Sequence, residues 1–240
     1  NRIKKGARVI KLVLSDMDNT LIPLGQRVSP RTVEAIHAVL DAGVRFGPAT
    51  GRDYVELSRL FRMHEECFMT GIFSNGKRVR LDGRYVSTTL IPHDQLGGVV
   101  DEVPDIPFVA ATIACTGGPE RMARCQRIVA EAVPELRIVS PIPDWFDVMP
   151  KGMSKAASLP ILLDELDIMP NEVLVFGDAA NDLELFGAVP NSVAVANAIP
   201  EVAEAARWHV GASAEEGVAD ALFEIAVAAV TGGTPDFMKE

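Results

Sequence analysis

The chain has 240 residues, 48% apolar and 23% charged, which leaves room for one or two folded domains and excludes a disordered, collagen-like or disulfide-built chain. Acidic residues number 33 against 23 basic ones, a formal net charge of -10 with no dense basic block, which argues against general nucleic-acid binding. Three cysteines without a CxxC pair suit reduced thiols and a cytoplasmic location, and no apolar run approaches the roughly 18 residues that span a bilayer.

Asn1 to Lys5 is polar and basic, and no signal-peptide pattern follows it; the missing methionine at position 1 suggests a trimmed start. Val9 to Leu14 reads as a buried strand. Pro30 to Ala42 reads as a helix, with Ser29 as cap, Pro30 in its first turn and Gly43 at its end. Val44 to Ala49 is a second strand, Asp53 to Met63 a helix and Cys67 to Phe73 a third strand. Strands alternating with helices predict βαβ units and a parallel sheet.

The rhythm changes near Lys77. Strands are expected over Arg84 to Leu90, Phe108 to Ala114, Leu136 to Val139 and Trp145 to Met149. Helices are expected over Pro92 to Val103, weakened by two glycines, and over Glu120 to Val133. The first rhythm then returns. Lys155 to Leu166 reads as a helix that Pro160 should kink or delay, followed by a strand at Val173 to Phe176 and a short helix at Asn181 to Phe186. Val193 to Ala196 and Trp208 to Val210 are strands around a helix at Pro200 to Ala206. Ser213 to Glu216 has the form of a capping box for a last helix, and the tail after Thr231 is expected to fray. The pattern is an α/β chain: a Rossmann-like parallel-sheet core with helices on both faces, formed by residues 1–78 and 148–240, and a small α+β module inserted at 79–147.

Four short patterns stand at strand ends or helix starts, where open α/β sheets bind ligands. Asp16-Met17-Asp18-Asn19-Thr20 follows the first strand; two carboxylates there can share nucleophilic, acid/base and metal-binding work. Gly177-Asp178-Ala179-Ala180-Asn181-Asp182 follows another strand and offers hard oxygen ligands. Ala49-Thr50-Gly51-Arg52 offers a hydroxyl and exposed amides to a phosphate oxygen. Lys155 opens a helix, which the dipole disfavours unless carboxylates or phosphate face it. Singly, each also fits a plainer reading: solvated loop acids, a helix start that favours acids, a capping turn, a surface lysine. Their joint occurrence in this order is much rarer than any one of them.

The set resembles the haloacid dehalogenase-like superfamily of phosphohydrolases. Asp16-x-Asp18-x-Thr20 matches its first motif, Thr50 its second, Lys155 its third, and Gly177-Asp178-x-x-Asn181-Asp182 its fourth. Ser74-Asn75-Gly76, Met149-Pro150-Lys151-Gly152, Asn197-Ala198-x-Pro200-Glu201-Val202 and Glu216-Gly217-Val218-Ala219 are similar to its Cof-like branch, whose type IIB cap would be residues 79–147. Asn19 stands where glycine is commoner, and Ala196 replaces a glycine often found before Asn197-Ala198.

The resemblance implies a catalytic set of Asp16, Asp18, Thr50 and Lys155. Asp16 would attack phosphorus and Asp18 would act as acid and base. Mg2+ would bind Asp16, the carbonyl of Asp18, Asp178, and Asp182 directly or through water. Thr50 and Lys155 would hold the phosphate, Asn181 would orient Lys155 or phosphate, and Asn19, Thr20, Gly51 and Arg52 would complete the substrate site. The cap would choose among substrates, through Arg121 and Arg124 unless these merely form a solvated helix face. His37, His64, His93 and His209 lack metal-ligand spacing and read as structural or solvent-facing.

The function expected is a Mg2+-dependent phosphatase of small phosphorylated metabolites, sugar phosphates or short phospho-acids such as phosphoglycolate, acting through an aspartyl-phosphate. The alternatives are a phosphomutase of the phosphomannomutase type and a non-catalytic phosphate-ligand sensor. The expected partner is the small metabolite, with no nucleic acid and no membrane, and the chain is expected as a monomer or homodimer.

Overall fold

A short all-apolar strand is stable only where both of its faces are covered, and the first strand shows how this chain does it. The computed structural model describes residues 10–92, 94, 109, 111–115, 117–142 and 145–239. β1 (Leu12–Ser15), α1 (Pro30–Asp41), β2 (Arg45–Pro48), α2 (Tyr54–Leu60), β3 (Gly71–Phe73), β4 (Arg78–Leu81) and β5 (Arg84–Thr88) follow one another. Next come β6 (Ala111–Ala114), α3 (Pro119–Ala132), β7 (Leu136–Ile142) and β8 (Trp145–Pro150). The chain continues through α4 (Lys155–Leu166), β9 (Val173–Gly177), α5 (Leu183–Ala188), β10 (Asn191–Val195), α6 (Pro200–Ala205), β11 (Trp208–Val210) and α7 (Gly217–Thr231).

Five strands form a parallel sheet in the order β11-β10-β9-β1-β2. Val13 points into one apolar cluster with Ile36 and Val39 of α1 and Leu222 and Ile225 of α7. Leu12 and Leu14 point into a second, with Leu159 and Leu162 of α4 and Leu185 of α5. Each fully buried side chain of this size contributes about 1.5–3 kcal/mol. The alternation places helices on both faces, as the sequence rhythm predicts.

Two compact units result: residues up to Ser87 together with Ser154–Glu240, and Thr88–Met153. The crossings lie later in the chain than the 79 and 147 read from sequence. β4 and β5 stay with the first unit because they extend a sheet that begins at β3. β8 runs on to Pro150 because it pairs antiparallel with both β6 and β7. The second unit has its own core, with Met122, Val129, Phe146 and Val148.

Several local expectations are corrected. Cys67–Phe73 is not a strand of the parallel sheet: Glu65–Cys67 is a 3-10 turn, and β3 pairs antiparallel with β4. Only a single parallel bridge, Ala49 to Ile72, ties β3 to the end of β2. Pro160 neither delays nor ends α4: the helix runs unbroken from Lys155 to Leu166 with Pro160 inside it as its sixth residue, at the loss of one backbone bond. The box expected at Ser213 to Glu216 does not form. Glu216 takes φ 58 and turns its carboxylate to Ser29 at the start of α1, and α7 begins at Gly217, where a Cβ would stand 2.1 Å from the carbonyl oxygen of Gly211. The tail is docked rather than frayed: Asp236–Met238 is a 3-10 turn, Met238 is buried, and Phe237 lies 6.4 Å from the Phe176 ring. The helix expected over Pro92 to Val103 and His93 fall almost wholly outside the described residues. Among the described residues no helix is long and apolar enough to cross a membrane.

Candidate active site

The strand order reverses at β1, whose neighbours on either side are β9 and β2, so the carboxyl ends of β1 and β9 flank a switch point. The Asp16 amide still bonds the Phe176 carbonyl at 3.0 Å, and both chains turn away just beyond. Asp16 and Asp178 are delivered there side by side, both buried.

Lys155 reaches this point from the first residue of α4. Ser154 caps that helix through its side chain, which accepts from the Ala157 amide. The Lys155 ammonium is 1% exposed and lies 2.6 Å from Asp16 Oδ1 and 2.7 Å from Asp182 Oδ1. A lysine against the helix dipole is thus explained by the two carboxylates facing it. Asp182 turns its other oxygen back, accepting from the amides of Asp178 at 3.1 Å and Ala179 at 3.3 Å. Gly177 makes that return possible, because a Cβ there would stand 2.6 Å from the Cβ of Asp182. Thr20 donates its hydroxyl to Asp178 Oδ1 at 2.7 Å and joins the two loops.

Asp18 faces a different partner. The Arg52 guanidinium grips it with two bonds, Nε to Oδ2 at 2.7 Å and Nη2 to Oδ1 at 2.8 Å. Thr50 is buried and its hydroxyl accepts from the Arg52 amide at 3.1 Å, closing the turn that aims the guanidinium. Gly51 lies against Asn75, whose amide nitrogen would be 3.0 Å from a Cβ at that position. Asn19 takes the left-handed φ 58 that its type tolerates. Asn181 sits half-buried in the turn Ala180–Asp182; among the described residues its side chain bonds neither Lys155 nor the aspartates.

A family model of the haloacid dehalogenase-like hydrolases matches residues 13–118 and 106–222. The chain belongs to this family. YxeH of Bacillus subtilis, which carries the name of a phosphatase, is 25% identical over 91% of this chain and 99% of its own. The Escherichia coli HMP-PP phosphatase is 23% identical over 80% of this chain and 86% of its own. The crystal structure of a haloacid dehalogenase-like hydrolase from Bacteroides thetaiotaomicron shares the fold, with a TM-score of 0.78 at 21% identity, covering 89% of this chain and 98% of that one. With relatives so named, this haloacid dehalogenase-like hydrolase is an enzyme of the phosphatase class.

Its acids carry more negative charge than the protein itself neutralises. Burial, countered by Lys155 but reinforced by Asp182 and Asp178, pushes the Asp16 carboxyl up to about 7. Burial likewise pushes Asp178 up to about 6, although the Thr20 hydroxyl bond opposes the shift. Burial disfavours the Lys155 charge, yet Asp16 and Asp182 outweigh it and raise that group above the usual lysine range. Carboxylate oxygens of Asp16, Asp178 and Asp182 lie within 4.8 Å of one another. Such a buried, hard-oxygen set under electrostatic stress fits a divalent cation.

The structure also gives work to residues that sequence reasoning left unassigned. Asn197 donates to the carbonyl of Asn19 at 2.7 Å and accepts from the Ser213 amide at 2.8 Å, so it supports the loop after β1 from the loop after β10. The Asn197-Ala198 pair was visible as a motif, but its contact was not. Asn75 holds the Thr50 carbonyl through its amide at 2.9 Å, and its Oδ1 is buried without a hydrogen-bond partner. Gly76 lets this turn press on α4: a Cβ would stand 2.0 Å from the Ser154 carbonyl oxygen, and Ser158 bonds the Gly76 carbonyl at 2.6 Å. Arg121 and Arg124 are exposed on α3, beside Arg127 in a shallow groove.

Proposed function

We propose that this enzyme is a Mg2+-dependent phosphatase of small phosphorylated metabolites, sugar phosphates or short phospho-acids such as phosphoglycolate. The observation that carries the reading is Lys155 bonded to both Asp16 and Asp182 beside Asp178. Asp16, Asp178 and the carbonyl of Asp18 would hold the cation. Asp182, with one oxygen on Lys155 and the other on two amides, would act through water. When bound, the cation would neutralise charge on the transferring phosphoryl group.

The chain's own residues supply the rest. Lys155 holds Asp16 in place and favours its ionised form against the effect of burial, with its oxygen presented at the crevice. That oxygen bonds to phosphorus as the bond to the leaving alcohol breaks, giving an aspartyl-phosphate on Asp16. Asp18 gives its proton to the departing alcohol oxygen. Asp18 then takes a proton from the water that attacks phosphorus and returns Asp16 as a carboxylate. In the free site Arg52 grips Asp18 with two bonds. An incoming phosphate would compete for that guanidinium and free the Asp18 carboxyl to reach the leaving oxygen. Thr50 and the Gly51 amide would bind phosphoryl oxygens, with Asn19, Thr20 and Asn181 around them. The residues between the two crossings would act as the cap that selects the substrate.

Phosphate release across sugar phosphates, phosphoglycolate and HMP-PP, with and without Mg2+, tests this. Release is expected to need the ion and to fall by at least about 10^3-fold in Asp16→Asn. Undiminished release in that variant would overturn the assignment.

A further inference from the structure

His37 stands in α1, while His64 and Glu66 follow α2 on the way to β3. Their separation in sequence hides any ligand pattern, but the fold brings them together. His37 Nε2 lies 3.0 Å and His64 Nδ1 3.1 Å from the same Glu66 Oε1. All three donor atoms fall within 4.8 Å of one another, and the two rings meet edge-on. The side chains are 42%, 49% and 47% exposed for His37, His64 and Glu66, so a dissolved ion can reach them. Arg62 and Met63 take φ 51 and 70 in succession, and this turn carries His64 back to α1. A pocket of about 360 Å³ opens beside the two rings, between Val33 and Phe61.

Two imidazole nitrogens and one carboxylate oxygen are a different donor set from the buried aspartates. Hard ions such as Mg2+ take oxygen ligands, whereas imidazole suits Zn2+ and its neighbours. Bonds of about 2.0–2.1 Å in a tetrahedron set donors roughly 3.3 Å apart. The two nitrogen–oxygen separations here, 3.0 and 3.1 Å, are within a few tenths of that value.

We propose that His37, His64 and Glu66 form a second cation site, for a first-row ion of the Zn2+ kind, with water in the remaining position. The ion takes the place of the protons shared between the rings and Glu66, and it ties the middle of α1 to the loop ahead of β3.

Zn2+ binding to the metal-stripped full chain, measured in excess Mg2+ to fill the hard-oxygen cluster, tests the site. One Zn2+ per chain is expected at micromolar concentration. His37→Gln and His64→Gln should each weaken binding by at least about tenfold. Asp178→Asn should leave it unchanged. Zn2+ should raise the melting temperature of the parent but not of the double histidine variant, while both melt alike without Zn2+. Absence of binding in the parent, or binding that survives both histidine substitutions, would overturn the site. Loss in Asp178→Asn alone would assign the ion to the aspartate cluster and overturn it equally.

Discussion

The loops after β1 and β9 both carry two aspartates, yet they are held in opposite ways. The loop after β9 closes on itself. Asp182 bonds the amides of Asp178 and Ala179, and the missing side chain of Gly177 makes room for it. The side chains of the loop after β1 are held from elsewhere: Asp16 by Lys155, Asp18 by Arg52, Thr20 by Asp178. One loop braces itself through its own amides besides taking bonds from Lys155 and Thr20, and the side chains of the other are positioned by distant parts of the chain. In the proposed reaction the self-braced loop keeps the cation site, while the other carries the two groups that react.

Removing Lys155 should break this arrangement most. Lys155→Met leaves Asp16 and Asp182 buried without their counter-charge, which costs about 3–5 kcal/mol. Denaturant unfolding should read that loss, and activity should vanish with it. A surface-like effect below about 1 kcal/mol would mean that the two loops do not depend on this lysine.

A smaller, pH-dependent effect separates Asp16 from its surroundings. Its carboxyl is raised from 3.8 to about 7 in the fold, so the folded state binds the extra proton between those limits. Metal-free stability from this group is therefore lost as pH rises through that window. Asp16→Asn removes the loss and should be the more stable protein at pH 8, with the advantage gone near pH 4. Melting of both proteins across pH, with and without Mg2+, checks this; Mg2+ should cancel the difference by stabilising the ionised parent. The smallest effect is expected at the link between the loops. Thr20→Val leaves Asp178 Oδ1 without its donor, costs about 1 kcal/mol, and should weaken Mg2+ binding near pH 6, where Asp178 would hold its proton more tightly. Calorimetric Mg2+ titrations at pH 6 and pH 8 should show the deficit only at the lower pH.

Much of the core was legible because its signals are local. An apolar run that ends in an acid marks β1 with Asp16 and β9 with Asp178. Lysine at a helix start made sense if carboxylates or phosphate faced it, and two carboxylates do. What stayed hidden depended on contacts between distant segments. Nothing near Cys67 says that the next strand will leave the parallel sheet for β4. Ser213-Ala214-Glu215-Glu216 has the form of a capping box, but Glu216 is drawn to Ser29 across the fold. The tail has the composition of a fraying end, yet Phe237 and Met238 find apolar partners. The fork between Arg52 and Asp18 joins two patterns that each looked complete alone.

The press of Gly76 on Ser154, with Ser158 bonded to the Gly76 carbonyl, has a consequence for how the charged centre is held. These residues sit on the outgoing and returning sides of the inserted unit, and they are stitched together within the core. The lysine that faces the acids is therefore anchored by contacts within the first unit. The outgoing and returning chains are clasped to each other before either leaves the first unit, so the charged centre is framed by its own walls.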